Sequence, residues 1–277
     1  MIKTSFAAVL ALMAPLSALA GGFDTAGDPV AMAPAPIVAA SPDLIFRLGA
    51  GLSYGSSYFG SNSNEVGPSG SFSFQFLRGP GGMALGSETG APQYGFAPRG
   101  SFRVIGKRSA ADHPELTGLN DVPLSVEVGL GLGYTAQNFE AFADVRYGAI
   151  GHHSFVGELG ADLVLRPSDR LTLTAGPRFV IGSNKFNDTY FGVTGPESVA
   201  SLAAGGTLGV YNPGGGAVSA GVELGATYAL NDKWNLDGAL RYDKFLGDAK
   251  ASPIVGQGSD DQFRLTIGLS RLISLDF

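Results

Sequence analysis

Nucleophilic catalysis needs a hydroxyl, an imidazole and an acid in one place, and the run His152-His153-Ser154 is where this chain comes nearest to supplying them. Consecutive residues of a strand point to opposite faces. His153 and Ser154 therefore cannot share a site, whereas His152 and Ser154 can. Besides these two histidines there is only His113, and cysteine is absent, a poor donor set for a transition metal. The run reads better as the cap of an external hairpin. Gly129, Gly131 and Gly133 lie inside an alternating strand, without the turn and helix that a dinucleotide fingerprint requires. From Gly100 to Lys107 the spacing misses a phosphate loop by one residue, and Arg108 stands where Ser or Thr is needed. The expectation is a protein that is not an enzyme and has no cofactor and no metal.

Charge is the chemistry that remains. Period-two parity assigns one inward face to Arg47, Arg99, Arg103, Arg146, Arg178, Arg241 and Arg264, and the same face to Glu127, Glu140, Asp144, Glu158, Asp162, Glu223 and Asp237. An open pore with strong ion selectivity would carry an excess of one sign. Seven cations against seven anions, inside a barrel hardly wider than one filled by its own side chains, predict instead a lattice of ion pairs.

The elements that must position these charges are strands, because from Asp43 onward apolar residues recur at every second position. Leu44, Phe46, Leu48, Ala50, Leu52 and Tyr54 share one face; Phe72, Phe74 and Phe76 share the next; Phe102 and Val104 follow. Val122 to Tyr134 alternates for thirteen residues, a length suited to a tilted bilayer crossing. Further alternating faces run from Phe139 to Tyr147, Phe155 to Leu165, Leu171 to Phe179, Val218 to Tyr228, Trp234 to Tyr242 and Phe263 to Phe277. The fold expected is all-β, a transmembrane antiparallel up-and-down barrel of about ten strands. A further hairpin in Gly79–Tyr94 or in 181–216 would raise the count to about twelve.

Connection lengths agree with that architecture. Tight turns at Ala136-Gln137-Asn138, Pro167-Ser168-Asp169 and Asn231-Asp232-Lys233 alternate with long connections over 106–121, 181–216 and 244–260, as short periplasmic turns and longer external loops should, except that the connection near Gly148 to Gly151 is short and Gly79 to Tyr94 would make an unusually long periplasmic turn. Aromatic residues fall at strand ends. Tyr134, Phe139, Tyr228, Trp234 and Phe277 mark the periplasmic side, and Tyr54, Tyr147, Phe155, Phe179 and Tyr242 the external side, the pattern of two interface girdles. Arg271 breaks the alternation and would face lipid, so a bulge that turns it inward is expected. The closing strand, ending in Phe277, resembles the signal read by the outer-membrane assembly machinery.

Residues 1–20 have the layout of a secretory signal peptide, with Lys3, an apolar run from Phe6 to Leu16 and Ala18-Leu19-Ala20, and cleavage is expected after Ala20. Residues 21–42, rich in Ala, Pro and Gly, read as a periplasmic linker, and 43–277 as the barrel. With 42 glycines and 15% charged residues the composition does not suit a soluble helical protein. A net charge of −6 argues against nucleic acid as a partner. The expected location is the cell outer membrane, with its lipid and assembly machinery as partners.

The chain resembles the MipA/OmpV family of outer-membrane proteins. The residues that carry the likeness are LTGLNDV (Leu116 to Val122), GHHSF (Gly151 to Phe155), DTYFGVT (Asp188 to Thr194) and YALNDKWNLDGALRYDKFLGDAKASPIV (Tyr228 to Val255). That resemblance implies an outer-membrane barrel acting as a scaffold between a murein hydrolase, a lytic transglycosylase, and a bifunctional murein synthase; other members are linked to adhesion or osmotic response. The chain departs from the family pattern after Val193, where it reads GPESVASLAAGGTLGVYNPGGG without a compact Ser-Gly-Leu turn, and at Leu275, where an aromatic is usual. A narrow channel for small solutes and a surface adhesin are the alternative functions.

Overall fold

The computed structural model describes residues 42–79, 81, 83–88 and 94–277. The expected signal peptide, 1–20, lies outside the described residues, as does the segment 21–42 apart from its last residue. Period-two segments become antiparallel strands: β1 (Leu44–Ser56), β2 (Asn64–Arg78), β3 (Ala84–Gly86), β4 (Gly95–Ile105), β5 (Ser125–Thr135), β6 (Phe139–Ile150), β7 (Phe155–Ser168), β8 (Leu171–Gly182), β9 (Gly216–Ala229), β10 (Trp234–Phe245) and β11 (Asp261–Leu275). They form one eleven-stranded sheet in the order β3-β2-β1-β11-β10-β9-β8-β7-β6-β5-β4. The first and last long strands are joined by a ladder from Leu44↔Leu275 to Gly55↔Arg264. The result is a nearly closed barrel of ten long strands, with β3 as a short addition to the edge of β2.

Of the two further hairpins, the one in 79–94 forms only as the short β3 against β2, and the one in 181–216 is replaced by helices. In 79–94, β3 has three residues, and at its end Gly86, at φ +89°, lies where a Cβ would overlap the Gln75 carbonyl of β2. In 183–215 the chain makes two helices, α1 (Asn184–Phe191) and α2 (Gly195–Ala203). Helical spacing puts Phe186 and Tyr190 on one face of α1, and Thr194 opens α2 with a reciprocal capping box to Glu197. That box is legible as T-x-x-E in the sequence.

Three expected outward positions depart from parity, two of them at bulges. A register shift between Ile45 and Phe46 lets Phe76 pair with Ile45, so Phe76 is buried with Ile45 and does not continue the outer face of Phe72 and Phe74. Val218 is skipped by the shift between Val180 and Ile181 and is buried at 3% exposure. Val122 does not start β5 but forms an isolated bridge with Arg108, because Pro123 has no amide hydrogen to carry the ladder onward. Arg271 corrects the opposite expectation. Its register against Leu48 and Trp234 is unbroken, it stays on the outer face, and its guanidinium lies 5.5 Å from the Trp234 ring centroid. Sitting level with the aromatic girdle, it gains a cation–π contact and does not have to turn inward.

The three expected tight turns, between β5 and β6, β7 and β8, and β9 and β10, lie at the end of the barrel that holds Asp43 and Leu275, the turn end. At Asn231 the side-chain oxygen accepts from the amides of Lys233 and Trp234, both at 3.0 Å, which fixes the β9–β10 turn. The opposite, loop end carries 57–63, 106–124, 151–154, 183–215 and 246–260. The outer wall is apolar and exposed, with Leu130 at 76% and Val145 at 58%. The buried apolar cores of the described residues lie at the loop end, where residues of these loops pack on the strand ends.

Candidate functional site

Inward-facing charges converge on the wall formed by β4 to β10. Glu127, fully buried, accepts two hydrogen bonds from Arg103 (Nε 2.8 Å, Nη2 2.6 Å) and one from Arg146 Nε at 2.9 Å. Arg146 also donates to Ser101 Oγ at 3.0 Å and to Glu158 Oε2 at 2.7 Å. Glu158 in turn accepts from Arg241 Nη1 at 2.5 Å, and Arg241 forks onto Asp243. Next to this chain, Arg178 holds Asp162 with two bonds of 3.0 Å and Glu223 with one of 2.9 Å. Arg241 Nη1 lies 3.6 Å from Glu223 Oε2, so the two groups join into one network. Arg99 stands 3.2 Å from Asp144 and its guanidinium lies 4.0 Å from the Phe142 ring centroid, with Arg178 at 5.2 Å from the same centroid.

Four of the expected lumenal charges stand apart from this network. Glu140 meets Arg166 only at 3.9 Å, with both side chains partly exposed. Asp237 accepts from Thr227 and Ser270, and Arg47 donates weakly to the Lys233 carbonyl at 3.4 Å. Arg264 has no hydrogen bond and no ion pair among the described residues, and it borders the cavity described below. Asp243 and Phe142 belong to the lumen although the charge parity argument passed over them. Asp243 has the parity of Arg241 and Phe142 that of Glu140, so their strand positions carried the signal.

Two walls enclose a cavity of about 550 Å³. One is the charged wall just described; the other, on β11, β1 and β2, presents Ser53, Ser69, Ser71, Thr266 and Arg264. Inward glycines give the charges room. A Cβ on Gly131 would overlap the carboxylate of Asp144 on the neighbouring strand.

Above the cavity the five loops make a packed cap. Phe186, Tyr190 and Phe191 of α1 pack with Phe59, Val218, Phe245 and Val255, while Leu116, Leu119, Val193, Leu208 and Ile254 form a second cluster around Tyr58. Polar ties cross between loops. Tyr190 donates to Ser125 Oγ at 2.8 Å, Arg108 to the Tyr190 carbonyl at 2.9 Å, Ser252 to the Phe191 carbonyl at 2.6 Å, and Tyr58 to Glu115 at 2.9 Å. Glu197 accepts from both nitrogens of Asn120, binding the 106–124 loop to α2. Gly118, at φ +95°, lies where a Cβ would overlap the backbone of Ser201. Burial pushes the Tyr190 phenol up to about 12 and raises that of Tyr58, where the bond to Glu115 adds to the effect. Glu197 loses solvation, yet its bonds from Thr194 and Asn120 hold its carboxyl below the usual range. Three motif segments, LTGLNDV, DTYFGVT and the end of the Tyr228–Val255 run, supply the cap with Leu116, Leu119 and Val122, with Tyr190, Phe191 and Val193, and with Ala249, Ile254 and Val255.

GHHSF forms the joint between cap and network. His152 Nδ1 lies 2.6 Å from Ser154 Oγ and accepts from the Ser154 amide at 3.2 Å, so Nε2 carries the proton that faces Glu127 Oε1 at 3.1 Å. Serine, imidazole and carboxylate thus lie in sequence, as a nucleophile relay would place them. Their setting differs from that of a hydrolase. Ser154 and His152 are each 4% exposed and neither borders the cavity, while Glu127 is already held by two arginines. The geometry is that of a buried pin, completed by edge contacts from His152 to Phe186 and Tyr190. His153 occupies the turn at φ +47°, and His113 packs on Tyr58 at 4.9 Å.

On the outer wall, Tyr134, Phe139, Tyr228 and Trp234 ring the turn end, and Phe277 lies just past β11. Tyr54, Tyr147, Phe155, Phe179 and Tyr242 ring the loop end, with Tyr147 and Phe155 in contact at 5.0 Å.

The family model described as MltA-interacting protein MipA matches residues 48–272. Among curated proteins none matches the chain. Solved structures similar to it include the following three. An outer membrane channel from Pseudomonas putida F1 has 11% identity and a TM-score of 0.43, with 89% of this chain and 99% of that one covered. The outer membrane protein OprG from Pseudomonas aeruginosa has 12% identity and a TM-score of 0.30, with 84% and 97% covered. Neisserial surface protein A has 10% identity and a TM-score of 0.31, with 82% and 96% covered.

Proposed function

The chain belongs to the family of MltA-interacting protein MipA, and from that membership we propose that it is a non-enzymatic outer-membrane barrel serving as a scaffold for murein-remodelling enzymes. In this reading the strands cross the bilayer with the turn end in the periplasm. The exposed apolar wall supports the crossing, since in water such a surface would be a large unpartnered patch, and the two aromatic rings mark its interfaces. The family's description, an MltA-interacting protein, supports a protein partner; in this reading the partners are a lytic transglycosylase and a murein synthase, which the family resemblance implies, docked on the periplasmic turns.

A single observation carries the preference for scaffold over channel: the loop end is closed by a packed cap tied to the lumenal ion network through His152 and Glu127. The cavity beneath the cap is what favours the second reading, a narrow channel. Planar bilayers containing the purified protein are expected to stay electrically silent, and the immobilised barrel is expected to retain a lytic transglycosylase and a murein synthase of the same envelope. Regular conductance steps with neither enzyme retained would put the channel in place of the scaffold.

Assembly gives a separate test. Phe277 is 84% exposed and makes no core contact, so its removal costs the folded barrel little. If it is the residue read by the assembly machinery, deleting it should leave a chain that is exported, poorly inserted and without heat-modifiable migration on gels. Normal insertion of the shortened chain would show that recognition lies elsewhere.

A further inference from the structure

The barrel is not sealed all round. No ladder joins β2 to β4, and their facing edges meet through side chains, with the Phe72 ring seated on Gly100 and the Phe102 ring on Gly70. Both glycines are needed, because a Cβ at either would overlap the opposing ring. The lumenal cavity continues into this seam. Its lining includes the inward residues Ser69, Ser71 and Arg103 and also the outward residues Phe72, Phe102 and Val104, so it passes between the two strands to the outer face.

We propose that the cavity is a binding site for the anionic headgroup of a bilayer amphiphile, which enters sideways through the β2/β4 seam while its acyl chain stays outside against Phe72 and Phe102. This rests on the reading that the barrel spans the outer membrane. Arg264 supplies the charge complementarity: it borders the cavity, and its guanidinium makes no hydrogen bond or ion pair among the described residues. Ser53, Ser69, Ser71 and Thr266 beside it offer hydroxyls to the oxygens of a polar head. A volume of about 550 Å³ is that of a small-molecule site. The apolar part of the seam lies outside and the polar part inside, which fixes the direction of the amphiphile. An added peptide strand does not fit, since the rings already bridge the two edges. A soluble anion arriving from the loop end would meet the cap.

The test uses the full protein in phospholipid vesicles and a dodecyl phosphate bearing a photoreactive group at the chain end, with labelled residues mapped by mass spectrometry. Labelling at Phe72, Phe102 and Val104 is expected to exceed that at Val222 and Leu224 of β9 on the far wall. Excess unlabelled dodecyl phosphate should compete, and dodecyl maltoside and inorganic phosphate should not. Arg264→Gln is expected to reduce seam labelling about tenfold, the loss of one charge-assisted contact, with Val222 and Leu224 unchanged. Arg264→Lys should retain most of it. Because the Arg264 guanidinium makes no hydrogen bond or ion pair among the described residues, neither change should unfold the barrel. Equal labelling around the wall, or seam labelling indifferent to Arg264→Gln, would overturn the proposal. Competition by inorganic phosphate would replace it with a soluble-anion site. Absence of label at Val222 and Leu224 as well would instead remove the membrane reading beneath it.

Discussion

Replacing Glu127 with alanine is expected to destabilise the barrel by about 3 to 5 kcal/mol, the cost of stranding buried charges whose partner has been removed. Glu127 is fully buried and holds Arg103 by two hydrogen bonds, Arg146 by one and His152 by another. Its loss leaves two guanidinium groups facing each other without a carboxylate between them. Glu127→Gln keeps the volume and some hydrogen bonding, so it should fall between alanine and the parent. Glu140 provides the control. It sits partly exposed, 3.9 Å from Arg166, and Glu140→Ala should cost at most about 1 kcal/mol, as for a solvated pair. The measurement is the urea midpoint of the barrel in detergent, followed by its heat-modifiable migration. Equal midpoints for the Glu127 and Glu140 variants would mean that water fills the lumen and screens both, and the ion network would then lose its structural role.

A comparable effect is expected at the cap, with a different readout. Phe186 is fully buried and touches Phe59, Tyr190 and His152, with the Arg103 guanidinium 5.8 Å from its ring centroid. Phe186→Ala should cost about 3 to 5 kcal/mol through lost burial and the cavity left behind. Because the strands are held by their own ladders, the loss should fall on the cap and leave the barrel folded. Protease should then cut within 183–215 in the variant while the parent resists, and ion steps should appear in planar bilayers where the parent is silent. If the loops are opened to protease and the membrane stays silent, the ion network alone closes the lumen. If neither changes, the α1 core is not what holds the loops together.

The walls of this barrel were legible because the information needed is local. A strand turns its side chains by half a revolution per residue, so Leu130 against Gly129 and Gly131, or Tyr242 against Arg241, declares its face without reference to any other part of the chain. Where the local rule failed, a specific residue explains it. Pro123 ended the alternation that began at Val122, and bulges moved Phe76 and Val218 inward. Arg271 shows the reverse, a charge that parity places outside and that stays there because Trp234 lies beside it. In 183–215 the helices were marked by the Thr194–Glu197 box and by the spacing of Phe186 and Tyr190, signals that a search for strands passes over.

Sequence by itself determined that the segments are strands, which side of each is apolar and which charges share the inner face, since all of these follow from the geometry of consecutive residues. Only the tertiary structure decided which charge meets which. Arg241 reaches Glu158 and Ser252 reaches Phe191 across long stretches of chain, through strand register and loop packing that no short window contains. The same holds for the closure of the loop end, the seam between β2 and β4 and the solitary position of Arg264. Each depends on how far the sheet curls before its edges meet, a property of the whole circumference and not of any one strand.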